Sequence, residues 1–408
     1  MTTSSKKIYI LFNTRLSLNG MSGGDRINLE FIKYWNNLCD LYILGTNLNY
    51  NFLIKNKIKI NEQQFIEFPE SKFTPPHNSL KIVFIYLKRI FSFLRNYKKY
   101  DFSNGDLLYS SSDLIADSII ACFIKIKNPK IKWVSGLYLI ARNPFVGFEN
   151  QKSIKIKIPS LNLLGFWLLQ KISFFCISRY ADEIWVLNKF DKKILEEKTF
   201  AKIHVINGGI DFKKIASIPK KEIQQYDASF VGRFHPQKGI FDLIKIWKLV
   251  CVSKPTAKLC VIGDGPKPYV NKIKSLIKEN NLMDNIELLG TVSGDEKFSL
   301  IKSTKIFVCS SLHESWALVI AEAMACSLPV ISYDLPIYEG IYENNILKIP
   351  VSDINQFAEM ILKLLDDADL AVDLGQNGQK FIEKYDWNKT SAREYEQILD
   401  LCNDRYDT

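Results

Sequence analysis

The sequence lacks the residue spacings that metal-binding and disulfide-stabilised proteins use. Its 408 residues include eight cysteines and four histidines, but no CxxC pair and no Cys/His pairing at metal spacing. The cysteines are scattered, mostly in apolar runs, which is typical of buried, reduced thiols in a cytoplasmic protein. We therefore expect no metal site and no disulfide framework.

Repeats, biased segments and unbroken hydrophobic runs are also missing. The apolar part of the N-terminus is too short for a signal peptide and predicts a first β-strand. The longest apolar segment, residues 158–178, is interrupted by Asn162, Gln170 and Lys171, so we expect a buried or surface-inserted helix and not a membrane span. No helix-turn-helix, zinc or RNP pattern occurs, and we expect no nucleic-acid partner.

Positive charge is concentrated in the first half of the chain. Residues 1–208 hold 30 Lys and Arg against 16 Asp and Glu, whereas the net charge of the whole chain is only +10. Within that half, residues 79–100 combine a basic stripe with a broad aromatic and aliphatic face. This pattern is typical of a helix on an anionic membrane surface, although a core-packed helix with solvated lysines fits it equally well.

Short β-branched runs alternate with helical stretches along the whole chain. Such alternation predicts parallel sheets covered by helices, an α/β class, and the strands fall into two sets. The break is predicted near residues 207–227, which carry Gly, Pro and a polar run. In open α/β sheets ligands bind beyond the carboxyl ends of the strands, so we expect two facing Rossmann-like doubly wound domains with a cleft between them.

Two cations follow a predicted strand in FVGRFHPQKG (230–239). The segment is not a Walker loop, because Lys238 precedes its glycine. Arg233 and Lys238 stand five residues apart across a turn at Pro236, a spacing that can aim a guanidinium and an ammonium at one diphosphate. Two surface cations on a loop are the alternative.

Two carboxylates flank the apolar start of a predicted helix within residues 310–332. The helix is expected to begin near Trp316, with Glu314 just before it and Glu322 two turns in, on the order of 10 Å apart. That distance suits a ribose at Glu322, a diphosphate at the helix start and a sugar at Glu314. The alternative is two glutamates paired with nearby lysines.

Glycines follow two further predicted strands. Gly23 and Gly24 lie between the first strand and a helical stretch, where backbone can approach a phosphate closely. Gly263 and Gly265 end the strand VIGDGP (261–266). Taken alone, a plain loop or turn explains each pair as well.

Taken in order, these motifs resemble glycosyltransferase family 4, whose members are retaining, metal-independent enzymes with the GT-B fold. The matching segments are Gly23-Gly24, YADEIWVLN (180–188), VINGGID (205–211), VGRFHPQKG (231–239), VIGDGP (261–266), LLGTVS (288–293) and the E-x7-E element of Glu314 and Glu322. The resemblance is strong over residues 205–335 and scattered before them.

The resemblance implies a role for each matched residue. Arg233 and Lys238 hold the diphosphate, with Gly24 contacting it from the N-terminal domain, while Glu322 takes the ribose. Glu314 and the amides of Trp316, Ala317 and Leu318 take the donor hexose, and Val292 borders the base with Gly263 to Gly265. It also implies an N-terminal acceptor-side, membrane-facing domain of residues 1–208 plus 386–408, and a donor-binding domain of residues 209–385.

The chain departs from the family pattern at the predicted helix start, in DLPIYEG, where Pro336 and Glu339 have an altered spacing, and after the strand in residues 131–144. Members usually have glycine where this chain has Ser315 or Ala317, which predicts a more crowded helix start. Many carry an active-site histidine after the strand in residues 131–144, and here Tyr138 or Arg142 lies about where it would be. These two residues are the predicted acceptor contacts.

The expected function is therefore transfer of a hexose from a UDP- or GDP-sugar to a glycan or lipid-linked glycan, with retained configuration. No cofactor is expected besides the nucleoside diphosphate sugar, and the expected location is the inner face of the cell membrane, peripherally bound. A non-catalytic nucleotide-sugar sensor and a GT-B epimerase remain alternatives.

Overall fold

The chain divides into two compact units in a computed structural model that describes residues 6–18, 21–70, 79–102, 107–146, 159, 161–221 and 225–403. The first unit takes in the described residues up to 207, together with the final helix from Asn388. The second unit is Gly208–Trp387. These limits lie within two residues of the predicted ones.

The first unit is built on a parallel sheet of seven strands in the order β3-β2-β1-β4-β5-β6-β7. Two of its strands, β4 and β6, are buried along their whole length, as expected for a sheet covered on both faces. The strands are β1 (Lys7–Leu11), β2 (Asp40–Gly45), β3 (Phe65–Glu67), β4 (Leu107–Ser110), β5 (Lys132–Gly136), β6 (Glu183–Val186) and β7 (Lys202–Val205).

Helices cover this sheet, and the last of them comes from the C-terminal end of the chain. Helix α14 is fastened to the first unit by hydrogen bonds from Trp35 Nε1 to the Ser391 carbonyl, 3.3 Å, and between His204 Nε2 and Glu394 Oε2, 2.9 Å. The helices are α1 (Gly23–Trp35), α2 (Asn47–Lys55), α3 (Ser79–Asn96), α4 (Ile115–Lys127), α5 (Leu161–Tyr180), α6 (Lys189–Glu196) and α14 (Trp387–Asn403, whose first residue belongs to the second unit).

The second unit has a parallel sheet of six strands in the order β10-β9-β8-β11-β12-β13. Its strands are β8 (Ala228–Val231), β9 (Leu259–Ile262), β10 (Ile286–Gly290), β11 (Ile306–Cys309), β12 (Val330–Tyr333) and β13 (Leu347–Ile349). Its helices are α7 (Phe212–Ser217), α8 (Ile240–Ser253), α9 (Lys267–Glu279), α10 (Gly294–Lys302), α11 (Leu318–Ala325), α12 (Ile354–Asp366) and α13 (Ala368–Ile382).

Each unit has its own hydrophobic core, which is what allows two separate doubly wound sheets in one chain. The apolar segment predicted over 158–178 forms α5, although residue 158 lies outside the described part. Among the described helices, none combines the length and hydrophobicity that crossing a bilayer requires. Nor do the described His, Cys, Asp and Glu side chains gather in threes as metal ligands would.

Candidate functional site

The carboxyl edge of the second unit's sheet carries most of the predicted residues. Because β8 to β11 run parallel, the loops that follow them leave the sheet at one edge, where α/β proteins bind ligands. Arg233 and Lys238 follow β8, Gly263 and Gly265 follow β9, Val292 follows β10, and Glu314, Trp316 and Ala317 lie between β11 and α11, which holds Leu318 and Glu322.

Backbone and side-chain hydrogen bonds fasten the loop after β8 to the loop after β11. The Leu312 amide donates to the Gln237 carbonyl, 2.8 Å, and Gln237 Nε2 donates to the His313 carbonyl, 2.9 Å. Ser310 Oγ donates to the Gly239 carbonyl, 3.0 Å. The two motifs that the sequence identified separately are therefore one rigid substructure.

This fastening brings Lys238 and Glu314 into a direct ion pair. Lys238 Nζ lies 2.5 Å from Glu314 Oε1, and the two side chains are 18% and 8% exposed. An ammonium has three protons to donate, so Lys238 can hold Glu314 and still bind a second anion. The ion pair therefore holds the Lys238 ammonium in a fixed position at the sheet edge, largely out of solvent.

Arg233 stands exposed in the same loop, and no ion pair involving it is found among the described residues. Burial lowers the pKa of the neighbouring His235, and the positive charges of Arg233 and Lys238 lower it further. The imidazole is therefore neutral near pH 7, in keeping with its Nδ1 accepting the Gln237 amide, 3.2 Å, at the start of the 3-10 turn Pro236–Lys238. The loop's positive charge comes from Arg233 and Lys238.

Glu322 also has a lysine partner, which the sequence did not reveal. Lys297 Nζ lies 2.8 Å from Glu322 Oε1, with side-chain exposures of 16% and 22%. The alternative of two lysine-paired glutamates is thus what the structure contains at both positions. A carboxylate keeps further acceptor sites when one oxygen is bonded, so a ribose role for Glu322 stays a prediction.

Helix α11 begins later than the sequence predicted. Its first residue is Leu318, because Ala317 adopts a left-handed conformation with φ 58° and ψ 63° and ends the preceding loop. The hydroxyl of buried Tyr342 donates to the Trp316 carbonyl, 2.7 Å, and contacts the Ala317 carbonyl, 3.1 Å. Trp316 itself is buried against Gly208 and Tyr342, so its ring is a packing element.

Replacing Ala317 by glycine should change stability far less than the same substitution inside α11. The left-handed conformation costs a residue with a Cβ about 1–2 kcal/mol, but the greater flexibility of glycine in the unfolded chain and the loss of the buried Ala317 methyl offset most of the relief. We expect the free energy of unfolding to change by less than about 0.5 kcal/mol in denaturant titration. Ala321→Gly, inside α11, is the matched control and should lower the free energy of unfolding by about 1–2 kcal/mol; equal losses in the two variants would contradict the strain at Ala317.

Gly263 and Gly265 are required by packing between loops. A Cβ on Gly263, where φ is 149°, would lie 1.9 Å from the Gly232 carbonyl oxygen, and one on Gly265 would lie 2.6 Å from that of Phe234. The Gly232 and Phe234 amides donate to the Ile262 and Asp264 carbonyls. Contact of Gly263, Gly265 and the partly buried Val292 with a nucleotide base stays a prediction.

The first unit's sheet edge brings Gly24 together with Tyr138. Gly23 and Gly24 open α1, where Ser22 and Asp25 form a capping box. A Cβ on Gly24 would lie 3.1 Å from the Tyr138 ring, so glycine leaves room for that ring. The close approach is to an aromatic side chain of this unit; phosphate contact by Gly24 stays a prediction.

The two predicted acceptor contacts differ in exposure. Tyr138 is buried, its hydroxyl is bonded to that of Tyr109, and burial raises its pKa well above the usual value. Its hydroxyl is thus engaged within the core. Arg142 is half-buried, and burial lowers its pKa. Of the two, Arg142 is the side chain with access to solvent.

Two carboxylates near this edge escaped the sequence analysis. Burial raises the pKa of Asp113 to about 6 and that of Asp117 to about 7. Asp117 accepts the Asn13 amide and the Ser111 hydroxyl, 3.0 Å each, and so joins the loops after β1 and β4. Asp113, in a serine-rich turn, and Asp117, in the first turn of α4, belong to no motif, and only their burial distinguishes them.

The second unit is similar in sequence to a family of known proteins. Residues 211–381 match the family model for glycosyl transferases group 1. The matched segment is less than half of the chain but nearly all of the second unit, and it includes Arg233, Lys238, Glu314 and Glu322. The two Rossmann-like α/β units agree with the GT-B fold of similar solved structures.

Proteins named as glycosyltransferases are similar to part of this chain, and a solved structure shares its fold. The chain is 33% identical over 225 residues to an uncharacterized glycosyltransferase of Methanocaldococcus jannaschii, an alignment covering 54% of this chain and 61% of that protein. It is 28% identical over 283 residues to poly(ribitol-phosphate) alpha-N-acetylglucosaminyltransferase of Staphylococcus aureus, covering 66% and 52%. The structure of HepE from Anabaena in complex with UDP superposes with a TM-score of 0.69 at 14% identity, covering 97% and 100%.

Proposed function

We propose that this protein is a glycosyltransferase of the retaining, family 4 type, which moves a hexose from a UDP- or GDP-sugar to a glycan or lipid-linked glycan. The observation that carries the proposal is the Lys238–Glu314 ion pair, held beside Arg233 by the fastened loops after β8 and β11. This ion pair connects two motifs of the resemblance, the R-x4-K loop of Arg233 and Lys238 and the E-x7-E element of Glu314 and Glu322.

In this mechanism the second unit stabilises the departing diphosphate. Negative charge develops on that group as the sugar–phosphate bond breaks, and positioned cations at such a point usually contribute most to catalysis. Arg233 offers a forked guanidinium and Lys238 an ammonium fixed by Glu314. With two cations supplied by the chain, we propose that turnover requires no metal and survives EDTA.

The carboxylates then position the sugar nucleotide and take no part as acid and base. Glu322, held by Lys297, accepts the ribose hydroxyls, and Glu314 orients the donor hexose near the start of α11. Val292, Gly263 and Gly265 border the base. The crowding by Ala317 favours a donor sugar that fits a narrower site.

Binding of a nucleoside diphosphate should raise the melting temperature. A ligand at 100 times its Kd adds about 2.7 kcal/mol to the free energy of unfolding. We expect one of UDP, GDP and ADP, and its sugar, to stabilise the chain measurably in a thermal shift assay, and Arg233→Ala to abolish the shift. An unchanged melting temperature with all three would refute the donor site.

The acceptor is proposed to be anionic and to be met at the inner face of the cell membrane. This rests on the excess of Lys and Arg in residues 1–208. It agrees with the phosphate polymer in the name of the Staphylococcus aureus relative. Hydrolysis or transfer by the purified chain separates this proposal from a non-catalytic sensor, and the product's anomeric configuration tests retention.

A further inference from the structure

Helix α3 exposes large apolar side chains that the fold does not use. Phe84, Leu87, Phe91 and Leu94 are 58%, 51%, 66% and 38% exposed. Their spacing of three, four and three residues puts all four along one face of the helix. Four large apolar residues in one exposed stripe are more than the scattered single residues of an ordinary surface.

The opposite face of α3 fixes the helix on the first unit. Tyr86, Arg89 and Phe93 are buried there. The Tyr86 hydroxyl donates to the Thr14 carbonyl, 2.9 Å, and Arg89 Nη1 donates to the Arg15 carbonyl, 2.9 Å. Because these bonds set the rotation of α3, its apolar stripe cannot turn into the core.

Helix α5 adds a second stripe beside the first. Leu168, Ile172 and Phe175 are 47%, 52% and 64% exposed, at spacings of four and three residues. Helix α3 contacts α5, and both contact α4. We call the exposed sides of these two helices the α3/α5 face.

The charges of the α3/α5 face are all of one sign. Neither α3 nor α5 contains an aspartate or glutamate. The exposed cations on α3 recur every seven residues and those on α5 every eight: Lys81, Lys88, Arg95, Lys171 and Arg179. Apolar stripes interleaved with cations alone suit an anionic partner whose interior is apolar.

We propose that the α3/α5 face docks on the surface of an anionic lipid bilayer, with its apolar stripes in the headgroup region and its cations against lipid phosphates. A second copy of the chain fits poorly, because a symmetric pair would oppose cations to cations. This inference rests on the proposed function in one respect: the α3/α5 face is the surface by which the enzyme would reach a lipid-linked acceptor.

Vesicle flotation tests the face directly. We expect the full chain to float with vesicles of phosphatidylcholine and phosphatidylglycerol, and to float less in high salt or with phosphatidylcholine alone. Phe84→Ser with Phe91→Ser should lower partitioning at least tenfold, and Lys88→Glu or Arg95→Glu should each lower it about fivefold or more. Ile54→Ser on α2 and Lys274→Glu on α9 are the matched apolar and charge controls.

The outcomes separate this proposal from the enzyme assignment. Absence of flotation with anionic vesicles, or equal flotation of the face variants and the controls, would overturn it. So would a dimer in solution that the face variants dissociate, because the face would then bind a second copy. The rise in melting temperature caused by a nucleotide measures binding at the donor site independently of membrane binding. The face variants should retain this rise.

Discussion

Arg233→Ala should lower turnover by about two to three orders of magnitude while leaving stability unchanged. Removing one positioned donor from a developing charge costs about 10²–10³ in rate. Arg233 is exposed, so its loss leaves no buried group without a partner. Turnover with the best donor and chemical denaturation should be measured together, with Lys248→Ala, an exposed lysine on α8, as control.

Lys238→Ala should lower turnover comparably, but it should also destabilise the chain. Glu314 is only 8% exposed, and removing its partner leaves a nearly buried carboxylate unpaired, which costs about 3 kcal/mol. A loss of activity in this variant alone would therefore be ambiguous. The stability loss has to be separated from the loss of a catalytic cation.

The double variant Lys238→Met with Glu314→Gln makes that separation. It removes both charges, so it should recover most of the stability lost in Lys238→Ala while turnover stays low. Recovery of turnover along with stability would mean that neither the Lys238 nor the Glu314 charge is needed for catalysis. Near-normal turnover in Arg233→Ala would remove the diphosphate assignment for the whole loop.

Gly239→Ala should be the most destabilising single methyl addition in the second unit's site. Gly239 has φ 64°, and a Cβ there would lie 1.7 Å from the Ser310 carbonyl oxygen. Backbone has to move to admit it, which breaks the bonds that fasten the loop after β8 to the loop after β11. We expect the free energy of unfolding to fall by about 4 kcal/mol or more, and the nucleotide-induced thermal shift to disappear.

Gly290→Ala is the control for conformation alone. Gly290 has nearly the same φ, 68°, but no atom lies within 4 Å of an added Cβ. Its substitution should therefore cost only the left-handed penalty of about 1–2 kcal/mol, roughly half of which is offset because alanine is less flexible than glycine in the unfolded chain. Equal losses of unfolding free energy in Gly239→Ala and Gly290→Ala would show that close packing against Ser310 is not the reason for glycine at position 239.

Local patterns were enough for the architecture. Alternating apolar runs predicted most strands of both sheets, because a buried parallel strand is nearly continuously apolar and is followed by a helical period. The edge strands β3 and β13, of three residues each, were missed because they are too short to form such a run. The turn at Pro236 and the glycines of 261–266 marked the loops at the sheet edge. Such features depend on neighbouring residues only, and a single sequence contains them.

Contacts between residues distant in sequence could not be predicted from such local patterns. Glu322 was expected to need a ligand because its neighbours are apolar, yet Lys297, 25 residues away, pairs with it. Lys238 and Glu314 were given separate roles, although 76 residues apart they form one ion pair. The spacing of the two residues in either pair does not indicate that they are in contact, because the contact arises only from packing between helices and loops.

The sequence by itself determined two α/β units, the segments that carry the cations and carboxylates, and the amphipathic helix of a basic first half. Tertiary structure alone decided which lysine meets which glutamate, that Ala317 is left-handed under the Tyr342 hydroxyl, and which faces of α3 and α5 remain exposed. The physical reason is that periodicity fixes the faces of an element, whereas only packing decides which face is covered and which charges meet.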